Sequence, residues 1–460
     1  MKNILIAIRS IFKKGRHNVM KIVSLGIGLA VGLVLIAKVY FEQSYDDFYP
    51  DRDRVYQVWA KYQQNGGELK DYPQTSGGIA PTMQQQIPEI ETVTRYTSFG
   101  DWTFTMTDTK MKYSGRCIIA DSCFFDILPR PMLIGNAKEV LSTPMYVLIS
   151  SRIAKNIGGD VIGKNFTVDS SPGRTMTIGG VFEEVPENSH SRYDVIVSMA
   201  SASRFMWEGS PTNMLGNDRY ISYVKLHKGV NPLALEEQVH TFVNSYFPPE
   251  EQQKTGFNIG FSFHELDGLH KELPQVKRMT WILSLLAFAL IFTAVMNYIL
   301  IVISSIVNRS KEVAVHKCYG ASENNIHGMM FGEALVHIVL SLILALLLIL
   351  AFRGTVEELL ATSLDSLLLS NGSLVLLGIC ILVFFVSGFM PGSLYARIPV
   401  ASAFRNYREN KRIWKKALLL VQFVATGFLV TMLVFVARQY TFMVNDRPGY
   451  AYENLAYCGL

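Results

Sequence analysis

WILSLLAFALIFTAVMNYILIVI occupies residues 281–303 and carries no charged side chain. About 20 consecutive apolar residues cross the hydrocarbon core of a bilayer as a helix. Four further stretches read the same way, at 19–37, 334–352, 374–390 and 417–437. Of the five in chain order, the first (19–37) and the fourth (374–390) are short or interrupted by glycine. Between the first and second lies a long polar block, residues 41–279. The layout predicts an α-helical integral membrane protein with an inserted extracytoplasmic α+β domain. Composition agrees: the 460 residues are 49% hydrophobic, with a mean hydropathy of +0.22.

Net charge is +5, and its distribution says more than its size. Lys2, Arg9, Lys13, Lys14, Arg16 and Lys21 precede or open the first span. Arg309, Lys311 and Lys317 lie between spans two and three. Arg397, Arg405, Arg408, Lys411, Arg412, Lys415 and Lys416 lie between spans four and five. Basic loops stay on the cytoplasmic side, and all three clusters do so together if every span crosses. The expected organisation is a cytoplasmic N-terminus (1–18), span one (19–40), the extracytoplasmic domain (41–279) and span two (280–306). A cytoplasmic segment (307–332), span three (333–352), an outer loop (353–372) and span four (373–396) follow. A basic cytoplasmic loop (397–416), span five (417–437) and an outer tail (438–460) complete the chain. No small-x-small cleavage site follows the first apolar core, so it reads as a retained anchor and not a removed signal. The basic clusters are juxtamembrane, and no nucleic-acid motif accompanies them.

Within the polar block, residues 54–62 alternate like a strand, 79–86 read as a helix cut by Pro88, and 90–96 as a strand. The order recurs at 220–227 (strand), 232–246 (amphipathic helix) and 257–263 (strand). Pro232 and the Glu236-Glu237 pair are helix-start signals. The stretch between them is rich in glycine, serine and short β runs such as 175–182. The expectation is a split βαβ subdomain, about 50–100 and 217–266, interrupted by a mostly β insertion at about 101–216.

Chemistry-bearing patterns fail on inspection. GGDVIGKN at 158–165 approaches a phosphate-cradling loop, but Asn165 stands where a magnesium-holding hydroxyl is needed. His264, Glu265, Asp267 and His270 lack a metal-ligand spacing and read as a solvated hairpin near the membrane. Cys117 and Cys123 fit no disulfide scaffold and read as isolated thiols. No catalytic, cofactor or metal site is expected. Inside the spans, Asn297, Glu333 and His337 are the polar groups. Glu333 and His337 are four apart, hence on one helical face, and interhelical hydrogen bonding is favoured over a proton relay.

One run ties these features together. Residues 297–322 read NYILIVISSIVNRSKEVAVHKCYGAS. This resembles the signature of FtsX/MacB-type ABC transporter permeases, where the second span ends in a basic coupling segment closed by Gly-Ala. SYDDFYPDRDRVYQV at 44–58 and VIGKNFTVDSSPGRTMTIGGVFEEVPENSHS at 161–191 are similar to parts of MacB-like periplasmic core domains. SGFMPGSLYARIPVASAF at 387–404 is similar to the end of the family's fourth span. The resemblance implies a permease subunit in the cell inner membrane, working as a homodimer or paired permease with a separate cytoplasmic ABC ATPase. It implies contacts with membrane lipid and a periplasmic partner, and no catalysis by this chain. On that reading Lys311, Glu312, Val313, Val315, His316, Lys317 and Gly320 form the ATPase-coupling segment. Gly320 would cap its short helix and Ser322 would start the next. The expected work is export or extraction of a peptide, lipid or other hydrophobic cargo through motion of the periplasmic domain. The alternative is an FtsX-like regulator of cell-wall hydrolases without transport.

The chain also repeats itself. An apolar run leaves the first span as Ala37-Lys38-Val39-Tyr40, and another leaves the last as Ala437-Arg438-Gln439-Tyr440. Duplication leads to the expectation that these residues open a second unit, within a longer version of eight spans and two extracytoplasmic blocks.

Overall fold

The structure is a computed structural model that describes residues 17–169, 171–216, 218–369, 372–396 and 413–445. The N-terminal basic cluster before residue 17, most of the basic loop after span four and the tail beyond 445 lie outside the described residues. The chain forms two compact units, one of residues 42–277 and one of the flanking segments. Helix α1 (Asn18–Gln43) opens the chain's described part.

The polar unit is built on one sheet of eleven strands among the described residues. The strands are β1 (Val55–Gln64), β2 (Lys70–Tyr72), β3 (Ile90–Met106), β4 (Lys112–Ala120), β5 (Met132–Ile134) and β6 (Tyr146–Ser150). They continue as β7 (Asn165–Val168), β8 (Ser171–Phe182), β9 (Val195–Ser198), β10 (Ile221–Leu226) and β11 (Phe257–Glu265). The order is β11-β1-β10-β3-β4-β9-β6-β8-β5, with β2 on β1, and β7 on both β3 and β8. At one end β11, β1, β10 and β3 pair antiparallel. With helices α2 (Ile79–Gln86) and α4 (Glu236–Tyr246) they make a split βαβ arrangement.

Each helix presents an apolar stripe to this sheet. Ile79, Ala80 and Met83 are buried on α2, and Val239, Phe242 and Val243 on α4, all at helical spacing. They share a core with Val58, Ala60, Val224 and Phe261. Helix α2 ends before Pro88, with Ile87 extended. The chain starts α4 later than its sequence suggests, because Pro232–Leu235 forms a separate 3-10 turn.

The sheet does not stop at the expected edge of the insertion. Strand β3 runs 17 residues and carries the pairing from β10 onto β4. A bulge between Ser98 and Gly100, with Gly100 at φ +75°, turns the strand without breaking it. A second core, including Phe104, Ile119, Val147, Phe166 and Ile178, lies under the β4-β9-β6-β8 part. Helix α3 (Ser151–Ile157) sits there, its first turn capped by the Ser150 hydroxyl, which accepts from the Ile153 N–H.

The membrane unit comprises α1, α5 (Pro274–Ser304), α6 (Ile306–Cys318), α7 (Glu323–Ala351), α8 (Ser373–Ala396) and α9 (Ile413–Asn445). Among the described residues, α1, α5, α7 and α9 are long and apolar enough to cross a membrane. The apolar part of α8, Ser373–Phe389, is shorter, and Pro391 lies further along the same helix. Leu25, Leu29 and Val34 of α1 pack with Tyr298, Ile299 and Ile303 of α5, Met330 and Ile338 of α7, and Val383 of α8. Helix α9 buries none of its apolar stretch against the described chain. Gly28 and Gly32 of α1 sit directly against α5: a Cβ on Gly28 would overlap that of Ala294, and one on Gly32 would overlap the Ile291 side chain. Two small residues four apart permit this close backbone approach in membrane helices.

Candidate functional site: the helix joining two spans and the polar contacts behind it

Helix α5 runs unbroken for 31 residues, about 46 Å at 1.5 Å per residue. It ends at Ser304, and α6 starts only two residues later. The segment between the spans is therefore more helical than its sequence suggests. Its end is well defined. The Ala321 N–H donates to the His316 carbonyl at 3.0 Å, and the Gly320 N–H to the Lys317 carbonyl at 3.0 Å. With Gly320 at φ +83° this is a Schellman ending. Two residues on, the Ser322 hydroxyl caps α7 by accepting from the Asn325 N–H at 3.3 Å. The sharp corner between α6 and α7 is fixed by these two caps.

A Cβ at Gly320 would meet nothing within 4 Å. Gly320→Ala should thus cost only the left-handed backbone strain, about 1–2 kcal/mol. Thermal unfolding of the full chain in detergent checks this; an unchanged midpoint would show that the corner does not depend on the glycine.

The structure separates the residues expected to act together on α6. Val313 is 1% exposed and lies with Ala314 in the core of the membrane unit. This follows from the helical period: 313 and 314 point inward while 315, 316 and 319 point away. Val315, His316 and Gly320 are exposed, and Glu312 and Lys317 are half-buried. The backbone of Lys311 lies in α6. Tyr319, at the end of the expected coupling segment but not singled out in it, has a side chain that is 89% exposed.

Behind α6, polar side chains join the helices. Asn297 donates its amide to the Ser24 hydroxyl at 2.9 Å. His337 Nδ1 and the Tyr298 hydroxyl lie 3.1 Å apart, and His337 is 1% exposed. Glu333 faces Lys21 at 3.7 Å, and Lys21 also donates to Asn18 at 3.2 Å. The Ser341 hydroxyl donates to the Ile22 carbonyl at 3.1 Å. Residues 18–24 of α1 thus contact both α5 and α7. Lys21 reads in the sequence as part of the basic flank; the structure buries it completely and pairs it with Glu333. Its position three residues into the helix hid this, because an apolar window with one lysine resembles a ragged span end.

Elsewhere the sequence candidates go to separate places. His264 stacks on Trp59, with ring centroids 4.2 Å apart, while His270 bonds to Glu42 at 2.5 Å and stacks on Tyr45. The segment is packed and half-buried, not a solvated hairpin; burial also lowers the His264 pKa. Asn165 starts strand β7. The glycines before it therefore lead to no helix N-terminus, which a phosphate-cradling loop requires. Cys117 and Cys123 are free thiols, and burial pushes the Cys117 thiol well up.

An extracytoplasmic-type α/β unit inserted after the first of several membrane helices, with a capped amphipathic helix between the next two, defines a membrane permease of two-part design. Two family models match in that order: MacB-like periplasmic core domain over residues 20–242 and FtsX-like permease C-terminal over residues 284–400. The chain belongs to the FtsX-like ABC transporter permeases that carry a MacB-like periplasmic core domain. Among solved structures, a domain of a putative permease protein from Porphyromonas gingivalis is 33% identical. The match covers 47% of this chain and 91% of that one, with a TM-score of 0.43. The periplasmic region of MacB from Actinobacillus actinomycetemcomitans is 16% identical, covering 45% and 87%, with a TM-score of 0.31. The extracellular domain of the noncanonic ABC-type transporter YknZ from Gram-positive bacteria is 11% identical, covering 45% and 98%, with a TM-score of 0.32. No curated protein matches.

Proposed function

We propose that this chain is the permease subunit of an ABC transporter of the mechanotransmission type. A separate cytoplasmic ATPase docks on α6, and its closure moves the periplasmic domain to export or extract a peptide, lipid or other hydrophobic cargo. The chain sits in the cell inner membrane with its N-terminus and α6 cytoplasmic, and pairs with a second permease. The observation that carries this reading is the two-sidedness of α6. Val313 and Ala314 root it in the helical core, while Val315, His316 and Tyr319 stand free on the other side. A helix held on one face and offered on the other suits docking into a partner's groove. Because α5 is unbroken, a push at α6 travels along a rigid rod rather than dissipating in a loop.

The test uses the full chain with the ATPase that copurifies with it. Val315→Asp combined with Tyr319→Ala should lower permease-stimulated ATP hydrolysis about tenfold, since truncating a central aromatic anchor and burying a charge each remove 1 kcal/mol or more. Membrane insertion and melting temperature should stay unchanged. Full stimulation in the double variant would refute docking at α6. Copurification with a cell-wall hydrolase in place of a cargo would redirect the reading from transport to regulation.

A further inference from the structure

The polar unit contains a cavity of about 290 Å³ lined by Asp101, Arg116, Arg130, Arg152, Glu184, Arg192 and Asp194 together with Val185 and Tyr193. Four arginines around one small hollow is an uncommon arrangement for a fold to adopt for stability alone, because like charges repel and burial strips the water from one of them, Arg130. The carboxylates do not cancel them. Arg152 engages two of the three, with Nε 3.2 Å from Glu184 and Nη2 2.5 Å from Asp194. The second Asp194 oxygen accepts the Arg116 backbone N–H at 2.9 Å. Arg116, Arg130 and Arg192 are left facing a single acid, Asp101, which lies opposite Arg116 across the β3–β4 pair.

Arg130 supplies the independent observation. It is 6% exposed, and its guanidinium lies over the rings of Phe124, Phe125 and Phe182, 5.3–5.9 Å from their centroids. The rings hold the charge face-on. They do nothing for its N–H groups: Nε and Nη2 are buried with no hydrogen-bond partner. The Tyr49 hydroxyl bonds to the guanidinium from within the chain, but Nε and Nη2 stay unsatisfied, a costly arrangement that an oxyanion admitted to the base of the cavity would relieve. Nε and one terminal nitrogen form the edge that binds an oxyanion with two parallel hydrogen bonds.

We propose that this cavity is a binding site for a phosphate group, gripped by Arg130 at its base and closed electrostatically by Arg116 and Arg192 at its mouth. Four arginines against three carboxylates leave a surplus of one positive charge, which favours an anion, and the planar guanidinium edge matches two oxygens of a phosphate group. The rest of the ligand, if the phosphate belongs to a larger molecule, extends through the mouth past the exposed Arg116 and Arg192 side chains. The site does not depend on the permease reading; it is a property of the polar unit.

Isothermal titration of the full chain in detergent at low salt tests it, with inorganic phosphate as one probe and a soluble short-chain phosphatidic acid as the other. Saturable binding of either is expected. Arg130→Met keeps the volume and the contact with the rings, removes the buried charge, and should weaken binding at least about tenfold with no loss of melting temperature. The exposed Arg192→Ala should weaken it by about threefold, and more at low salt than at high. Binding of inorganic phosphate alone would identify a free anion as the ligand; tighter binding of phosphatidic acid would identify a lipid headgroup. No saturable binding of either probe, or equal binding by wild type and Arg130→Met, would overturn the proposal.

Discussion

Gly28→Leu is expected to abolish stable assembly of the membrane unit. Helices α1 and α5 touch through Gly28 and Gly32, with no room for even a methyl group at Gly28 opposite Ala294. A leucine there must drive the two backbones apart, and Leu25, Leu29, Tyr298 and Ile299 share the same core. Overpacking of a filled core costs roughly 1–3 kcal/mol when side chains can adjust. Here the obstacle is a Cβ next to backbone and cannot rotate away, so the loss should lie at or above the top of that range. Gly32→Leu should be milder, because the Ile291 side chain it meets has other rotamers. Gly427→Leu on α9 is the control. Nothing lies within 4 Å of its added Cβ, and the change should fall within about 0.5 kcal/mol. The readouts are the yield of monodisperse protein and the midpoint of thermal unfolding in detergent. Equal midpoints for Gly28→Leu and Gly427→Leu would show that the α1–α5 contact is not a tight one.

The glycine pair shows what was legible in the sequence. Gly28 and Gly32 are plainly spaced by four, yet in isolation they weaken an apolar window and make the first span look poor. Their role depends on which helix lies opposite, and that is tertiary information. Periodicity did reveal the elements whose burial is one-sided. Helix Ile79–Gln86 and strand β11 follow their apolar patterns because each has one face on a core and the other more exposed, whereas β10 and the first half of β1 are buried on both faces. The length of β3 was not legible. Its second half alternates around a bulge at Gly100, where a turn was the natural reading. On α6 the caps could be read from Gly320 and Ser322, since cap chemistry is local. Which of its apolar residues face inward could not: Val313 is buried beside Ala314 while Val315 is exposed. Arg130 escaped altogether: a lone arginine between two prolines carries no pattern, and its significance comes from three phenylalanines, two of them nearby and Phe182 far along the chain.

Neutralising Glu333 alone should destabilise the protein, and neutralising Lys21 with it should restore most of the loss. Lys21 is fully buried and Glu333 is 6% exposed, with 3.7 Å between their charged atoms. A buried charge whose partner is removed typically costs about 3–5 kcal/mol, whereas replacing both partners with apolar groups of similar size is often neutral or favourable. Glu333→Leu takes a carboxylate from beside the Lys21 ammonium, and the Asn18 side-chain oxygen that it also meets is a neutral acceptor that compensates little for the loss. Lys21→Met/Glu333→Leu removes both charges while keeping volume. A double-mutant cycle on thermal unfolding in detergent then reads the coupling directly. If the pair only holds α1 against α7, the double variant should fold as well as wild type and support undiminished ATP-driven function. If the double variant folds but loses function, the ion pair works in the conformational cycle, as ionisable groups kept inside membrane proteins commonly do. A coupling energy under about 0.5 kcal/mol, the level at which independent sites add, would show that Lys21 and Glu333 do not act as a pair at all.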